Sequence, residues 1–160
     1  MSIEDLRKAS ADKDIELAMS ALADDIVIRS PLTDQFTFNG KDDVRRLFET
    51  VYEKCDGLNY HTLIGDRVLV GSATAGGQRF EETLLLTLDE DDKIAEITLF
   101  IRPLTGLTSV MAALGPTLAR KNNRRTAGLL RVMTAPLVAA TRFGDRFGIR
   151  LALAKRGVRG

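Results

Sequence analysis

The chain has 160 residues, enough for one domain of ordinary size with a proper core. Apolar residues make up 44% and charged residues 28%, a globular composition that argues against a wholly disordered or fibrous chain. One cysteine, Cys55, excludes an internal disulfide and a cysteine metal cluster, and a net charge of +1 selects no partner.

That near-neutral total hides a division. Residues 1–119 carry 12 Lys/Arg and 21 Asp/Glu, a net −9, whereas residues 120–160 carry 11 Lys/Arg and the single acid Asp145, a net +10. The change of sign sets an expected boundary near Arg120, with a domain at 1–119 and a basic extension at 120–160. The N-terminus, M-S-I-E-D-L-R-K, is charged from its fourth residue and has no apolar run of the signal-peptide kind, so a cytoplasmic location is expected.

In chain order, Ile3 to Ala11 reads as a short helix, with Ser2 as N-cap and Glu4 and Asp5 in its first turn. Asp12 or Asp14 can cap a second helix, in which Ile15, Met19 and Leu22 recur at helical spacing until Asp24-Asp25. The β-branched run Ile26-Val27-Ile28 predicts a strand, Pro31 a bend, and Phe36-Thr37-Phe38 a second short strand ending in an Asn39-Gly40 turn. Asp34 in the bend is of the type that stabilises a turn through its own backbone.

Lys41 to Glu53 predicts a helix with Val44, Leu47, Phe48, Val51 and Tyr52 as its apolar stripe and Gly57 as the stop beyond it. Four strands follow at Leu58–Ile64, Arg67–Ala75, Arg79–Leu88 and Lys93–Pro103. Their short connections, Gly65-Asp66, Gly76-Gly77 and Glu90-Asp91-Asp92, join antiparallel neighbours. Thr105 to Ala119 is helical again, giving an α+β arrangement in which helices cover one face of a curved antiparallel sheet, followed by a helical extension.

The order and spacing of A-L-A-D-D-I-V-I-R-S-P, F-N-G-K-D-D-V-R-R-L-F, I-G-D-R-V-L-V and L-D-E-D-D-K-I-A-E-I-T-L-F resemble the nuclear transport factor 2-like superfamily, and within it the SnoaL-like group, over residues 1 to about 115. The resemblance implies a cone whose helices and concave sheet enclose one largely apolar pocket, and dimers through the outer sheet face. Ketosteroid isomerases of this superfamily use an Asp before the bend proline as general base, with an Asp and a Tyr as donors. Matching S-P-L to that bend puts Ser30 at the base position and Leu84 near the second Asp. Limonene epoxide hydrolases use two Asp and an Arg. Here those Asp positions fall at Leu99 and near Leu69, with Arg67 near the Arg. The resemblance therefore implies the pocket without either known carboxylate set.

Strand alternation supplies candidates of its own. Phe80, Glu82, Leu84, Leu86 and Leu88 share one face, and Ala95, Ile97, Leu99 and Ile101 share one. The expected lining is Ser30, Leu69, Phe80, Leu84, Leu86, Ile97 and Leu99 from the sheet and bend, with Phe48 and Tyr52 from the helix. Glu82 on that apolar face is either an acid–base group with a raised pKa or a strand-end carboxylate, solvated or paired with Arg79. His61, the single histidine, is either a pocket base or an outward residue. Tyr52 and Tyr60 can donate from their phenols or simply pack. No metal site or cofactor is indicated, since one His without clustered acids falls short of a ligand set and the glycines form no phosphate-cradling motif.

Two surfaces point to partners. The outer face of the last strands carries Glu81, Thr83, Leu85 and Thr87, then Glu96, Thr98, Phe100 and Arg102, a mixed face suited to a homodimer. In the extension, Leu129, Met133, Pro136, Ala140, Phe143, Phe147 and Leu151 fall on one helical face, with Arg124, Arg131, Arg142 and Arg146 roughly opposite. The leading expectation is an ordered helix over 124–154 that turns Leu129, Met133, Leu137, Phe143 and Phe147 toward the acidic domain or a dimer mate. The alternative is an anionic membrane surface, giving a peripheral location. Nucleic acid is disfavoured because only Phe143 and Phe147 could stack on bases. The functional expectation is a pocket protein for a hydrophobic small molecule, with isomerase, cyclase or hydrolase-type acid–base chemistry. Its alternatives are a non-catalytic binding protein or a module docked by its tail.

Overall fold

The computed structural model describes residues 2–122 and 135–148. Helices α1 (Ser2–Asp12) and α2 (Ile15–Ala21) lead into β1 (Leu22–Arg29), β2 (Thr37–Asn39) and α3 (Gly40–Lys54). Strands β3 (Cys55–Ile64), β4 (Val68–Ala75), β5 (Gln78–Leu88) and β6 (Ile94–Arg102) follow, then α4 (Leu104–Asn122). Residues 135–143 form α5, which ends in a π turn at Gly144–Gly148. Leu129 and Met133 lie outside the described residues.

The six strands form one open sheet in the order β2-β1-β6-β5-β4-β3. Consecutive pairs from β3 to β6 are antiparallel, as their tight connections require. Gly76 and Gly77 close the β4–β5 hairpin with φ of +55° and +75°, the left-handed pair that a two-residue turn needs. The antiparallel pairing expected for the four long strands holds, and the sheet adds one parallel pair. β1 runs parallel to β6, with Val27 opposite Glu96 and Ile28 opposite Ile97. Helix α3 and the hairpins intervene between these two strands, and so long a connection allows either direction.

Local chemistry sets the helix starts. Asp14 caps α2 by accepting from the Leu17 amide at 3.0 Å. Asp43 in the first turn of α3 accepts from the Asn39 amide at 3.3 Å. Two boundaries differ from expectation. β1 begins at Leu22, so Asp24 and Asp25 lie in the strand, and β3 begins at Cys55, so Gly57 sits at a register shift inside it with φ +62°. In both cases the chain passes from helix to strand without a loop, because the cap residues Leu22 and Cys55 are themselves extended.

A continuous core fills the concave side. Leu6, Leu22, Ile26, Ile28, Leu69, Leu86, Ile94 and Ile97 are its largest fully buried members. Charged side chains tie the N-terminal helices to this body. Arg7 donates to the Tyr60 carbonyl at 3.0 Å, and Lys13 donates to the carbonyls of Tyr52 and Cys55 at 2.7 and 2.9 Å.

Gly71 of β4 carries the closest approach in the sheet. A Cβ added there would lie 2.6 Å from Cδ1 of Tyr60 and 2.8 Å from the Asn59 carbonyl oxygen. Gly71→Ala is expected to destabilise the protein by about 1–3 kcal/mol, because both neighbours are held within a packed sheet. Urea unfolding monitored by circular dichroism checks it, and a midpoint equal to wild type would show that the ring gives way freely.

Candidate functional site

A cavity of about 630 Å³ opens between the concave sheet face and helices α3 and α4. That volume lies within the usual range of small-molecule sites, about 300–1,000 Å³. Its walls are largely apolar. The sheet supplies Ile28, Phe80, Leu99 and Ile101, and α3 supplies Leu47 and Val51. Helix α4 supplies Val110, Met111, Leu114 and Leu118, one face at steps of three and four. Leu32 and Phe36 of the bend line it while 45% and 52% exposed, which puts them at the rim. Asp43 and Arg46, ion-paired at 3.2 Å and half-exposed, also belong to the entrance.

One carboxyl reaches the buried end. Glu82 lines the cavity and is 7% exposed, and its Oε1 accepts from the Tyr60 hydroxyl at 2.6 Å. The sheet register explains the pair. Tyr60 is opposite Gly71 on β4, and Gly71 is opposite Glu82 on β5, so the three form one cross-strand row. Tyr60 and Glu82 are separated by two strand spacings, about 9–10 Å. A glycine between them leaves the row empty of side chain, and the phenol lies across Gly71 to reach the carboxylate.

Burial pushes the Glu82 carboxyl above its ordinary range, and the Tyr60 hydrogen bond pulls only partly back. The Tyr60 phenol is itself pushed well above 10 by burial and by the adjacent Glu82, so it remains a donor. Among the described residues no group donates to Glu82 Oε2. Cys55 also lines the cavity, but burial and the nearby Glu82 push its thiol up to about 12, which leaves it protonated and unreactive. Ser30 lines the cavity wall, and its Oγ accepts from the Leu32 amide at 3.2 Å. Among the described residues no three His, Cys, Asp or Glu side chains converge to hold a metal ion.

Of the expected lining, Ser30, Phe80 and Leu99 border the cavity together with Glu82. Leu69, Leu84, Leu86 and Ile97 do not: they are 0–3% exposed and belong to the packed core. They share the concave face with Glu82, but the cavity occupies only the part of that face that α3 and α4 overlie. Phe48 and Tyr52 also lie away from it. The broad apolar stripe of α3 divides, with Leu47 and Val51 toward the cavity and Val44 and Tyr52 in the core. Phe48 packs edge-on against Tyr52 with centroids 5.8 Å apart. His61 follows the outward of its two readings and not the pocket-base one: it is exposed on β3 and contacts the Thr62 hydroxyl at 2.9 Å. Its neighbour Tyr60 points inward, so alternation turns His61 outward. Glu82 makes no ion pair with Arg79; it is buried against Tyr60 instead.

The α+β cone with an apolar cavity and one buried carboxyl defines the class of fold. The SnoaL-like domain family matches residues 3–97, more than half of the chain, and the protein belongs to that family. A steroid delta-isomerase from Pseudomonas aeruginosa is 24% identical and superposes with a TM-score of 0.67, covering 75% of this chain and 90% of that one. A bacterial protein with a cystatin-like fold from Silicibacter pomeroyi is 22% identical, with a TM-score of 0.69 over 79% of this chain and 93% of its own. At these identities the likeness carries the fold. No curated protein matches the sequence.

The raised Glu82 pKa has a stability consequence of definite sign. The unfolded carboxyl ionises near its ordinary value of 4.5, whereas the folded one holds its proton to higher pH. The folded state therefore binds more protons above pH 4.5, and this group's contribution falls as pH rises through its folded pKa. Glu82→Gln, which keeps an acceptor for Tyr60, is expected to unfold at a higher urea concentration than wild type near neutral pH, with the difference vanishing below pH 4.5. Urea titrations across that range check it. A pH-independent difference would contradict the assignment.

Proposed function

We propose that the cavity binds an apolar, cyclic or polyketide-like small molecule and that Glu82 transfers a proton to or from it. The observation that carries this reading is a single buried carboxyl at the inner end of an apolar cavity, with one oxygen held by Tyr60 and the other without a donor among the described residues. A desolvated carboxylate is a stronger base than one in water, and its protonated form is a usable acid near neutral pH. Tyr60 fixes the carboxyl orientation and stabilises its ionised form after a proton leaves. The apolar walls exclude water from the reacting atoms, and the rim at Leu32 and Phe36 admits the ligand.

A non-catalytic binding protein is the second reading. The residues that match the family's catalytic carboxylates are Ser30, Leu84, Leu99 and Leu69, none of which can move a carbon-bound proton near neutral pH. Deuterium exchange into a panel of cyclic ketones, with the fluorescence of anilinonaphthalene sulfonate as a binding probe, separates the two. Catalysis predicts exchange that falls at least about 100-fold in Glu82→Gln while dye affinity stays within about threefold. Exchange that persists in the variant would remove Glu82 from the chemistry. Dye binding without exchange of any ketone would leave a carrier.

The outer sheet face supports a homodimer. Leu85 and Phe100 stand 45% and 56% exposed there, bordered by the Arg102–Glu81 and Arg29–Glu96 ion pairs. Light scattering on the order of tens of micromolar is expected to give a dimer for wild type and a monomer for Phe100→Asp. A monomeric wild type would refute this assembly.

A further inference from the structure

Helix α5 and its π turn present an apolar face away from the acidic domain, so Leu137, Phe143 and Phe147 do not pack on that domain as one arm of the expectation had it. Thr141 faces the body of the protein, where its hydroxyl lies 3.1 Å from that of Thr108 on α4. Arg142 reaches the same side, 3.4 Å from both the Gly76 carbonyl and the Ser109 hydroxyl. Val138 is half-buried beside them. At about 100° per residue, the opposite half of the helix carries Pro136, Leu137, Ala139, Ala140 and Phe143, all exposed. Leu137, Phe143 and Phe147 are 45%, 65% and 48% exposed, and the two phenylalanine rings pack together at 4.6 Å. The inner face is polar because what it meets is polar, namely two hydroxyls and a carbonyl.

We propose that residues 135–148 are the docking face of the protein for an anionic lipid bilayer. Charge selects this occupant. Residues 120–160 carry 11 Lys/Arg against one acid, so a second copy seated face to face would bring two strongly cationic segments together. The acidic domain of the same chain already holds the inner face of the helix and cannot also cover the outer one. A nucleic acid would be gripped through basic side chains, yet Arg142, though exposed, contacts the body of the protein, and the exposed residues on the opposite half of α5 are apolar. An amphipathic helix with aromatic residues on its free face, within a basic stretch, has the chemistry that partitions into the interface of negatively charged lipid. None of the described helices is long and apolar enough to cross a membrane, so the helix lies on the surface. The inference is independent of what the cavity binds.

The test is co-sedimentation of the full chain with vesicles of equimolar phosphatidylcholine and phosphatidylserine, beside vesicles of phosphatidylcholine alone. Binding to the anionic vesicles that weakens with added salt is expected, with little binding to the neutral ones. Phe143→Ser combined with Phe147→Ser should weaken it at least about tenfold. Both residues are exposed, so the double variant should keep the wild-type thermal melting curve. Absence of sedimentation, or sedimentation unchanged in the double variant, would overturn the proposal. So would light scattering in which the double variant loses an oligomer that Phe100→Asp retains, since that result would make the helix face a contact between copies of the chain.

Discussion

A carboxyl that must sit among apolar side chains is the constraint around which the site is arranged. Moving an ionised carboxylate out of water costs several kcal/mol, and one neutral hydrogen bond returns only part of it. The protein limits that cost in two ways. It raises the Glu82 pKa so that the group spends more of the pH range uncharged, and it provides the Tyr60 hydroxyl when charge is present. The second device depends on backbone geometry two strands away. Tyr60 reaches Glu82 only because the residue between them in the row has no side chain. Arg7, which donates to the Tyr60 carbonyl, fixes β3 at the same point from the α1 side. An isosteric apolar residue at position 82 would avoid the whole expense, so the carboxyl there is a cost to stability that the proposed proton transfer would account for.

Much of this was legible in the sequence because the governing signals were local. Alternation along β5 put Glu82 on the face of Phe80 and Leu84, and tight turns at Gly65-Asp66 and Gly76-Gly77 dictated antiparallel neighbours. The unread parts were those that depend on distance in space. The parallel β1–β6 pair joins residues about 70 positions apart, and no local pattern reports its direction. The extent of the cavity depends on where α3 and α4 leave the sheet uncovered, which is why four core residues were expected in its lining. A usable signal for α4 did exist: Val110, Met111, Leu114 and Leu118 repeat at helical spacing, and such a stripe next to a concave sheet is a wall. The Tyr60–Glu82 pair could also have been found by counting registers across the β4 hairpins, with Gly71 as the clue.

The apolar side chains of α5 do not turn toward the acidic domain of their own chain, for a reason that opposite net charges conceal. Long-range attraction between a net −9 domain and a net +10 extension favours proximity but does not choose a helix face. Short-range complementarity does. The surface that α5 meets is made of Thr108, Ser109 and the Gly76 carbonyl, and it pairs with Thr141 and Arg142. Apolar residues there would have removed the contacts to the Ser109 hydroxyl and the Gly76 carbonyl and gained little burial, since Thr108 already donates to the Thr105 carbonyl at 3.2 Å and Gly76 is exposed.

Helix α4 consequently serves two surfaces at once. Thr108 and Ser109 hold α5, and the next two residues, Val110 and Met111, line the cavity. Coupling between the two surfaces requires that α4 have two arrangements and that each occupant prefer one of them. The geometry makes α4 the element through which any such coupling would run, because its adjacent residues touch both. By contrast, the Glu82–Tyr60 row lies on the sheet and is anchored by Arg7 and Gly71. The carboxyl is thus mounted on the sheet, while the wall shared with the tail lines the cavity with apolar side chains. Movement of α4 would change the volume and shape available to a ligand without disturbing the hydrogen bond that orients the carboxyl.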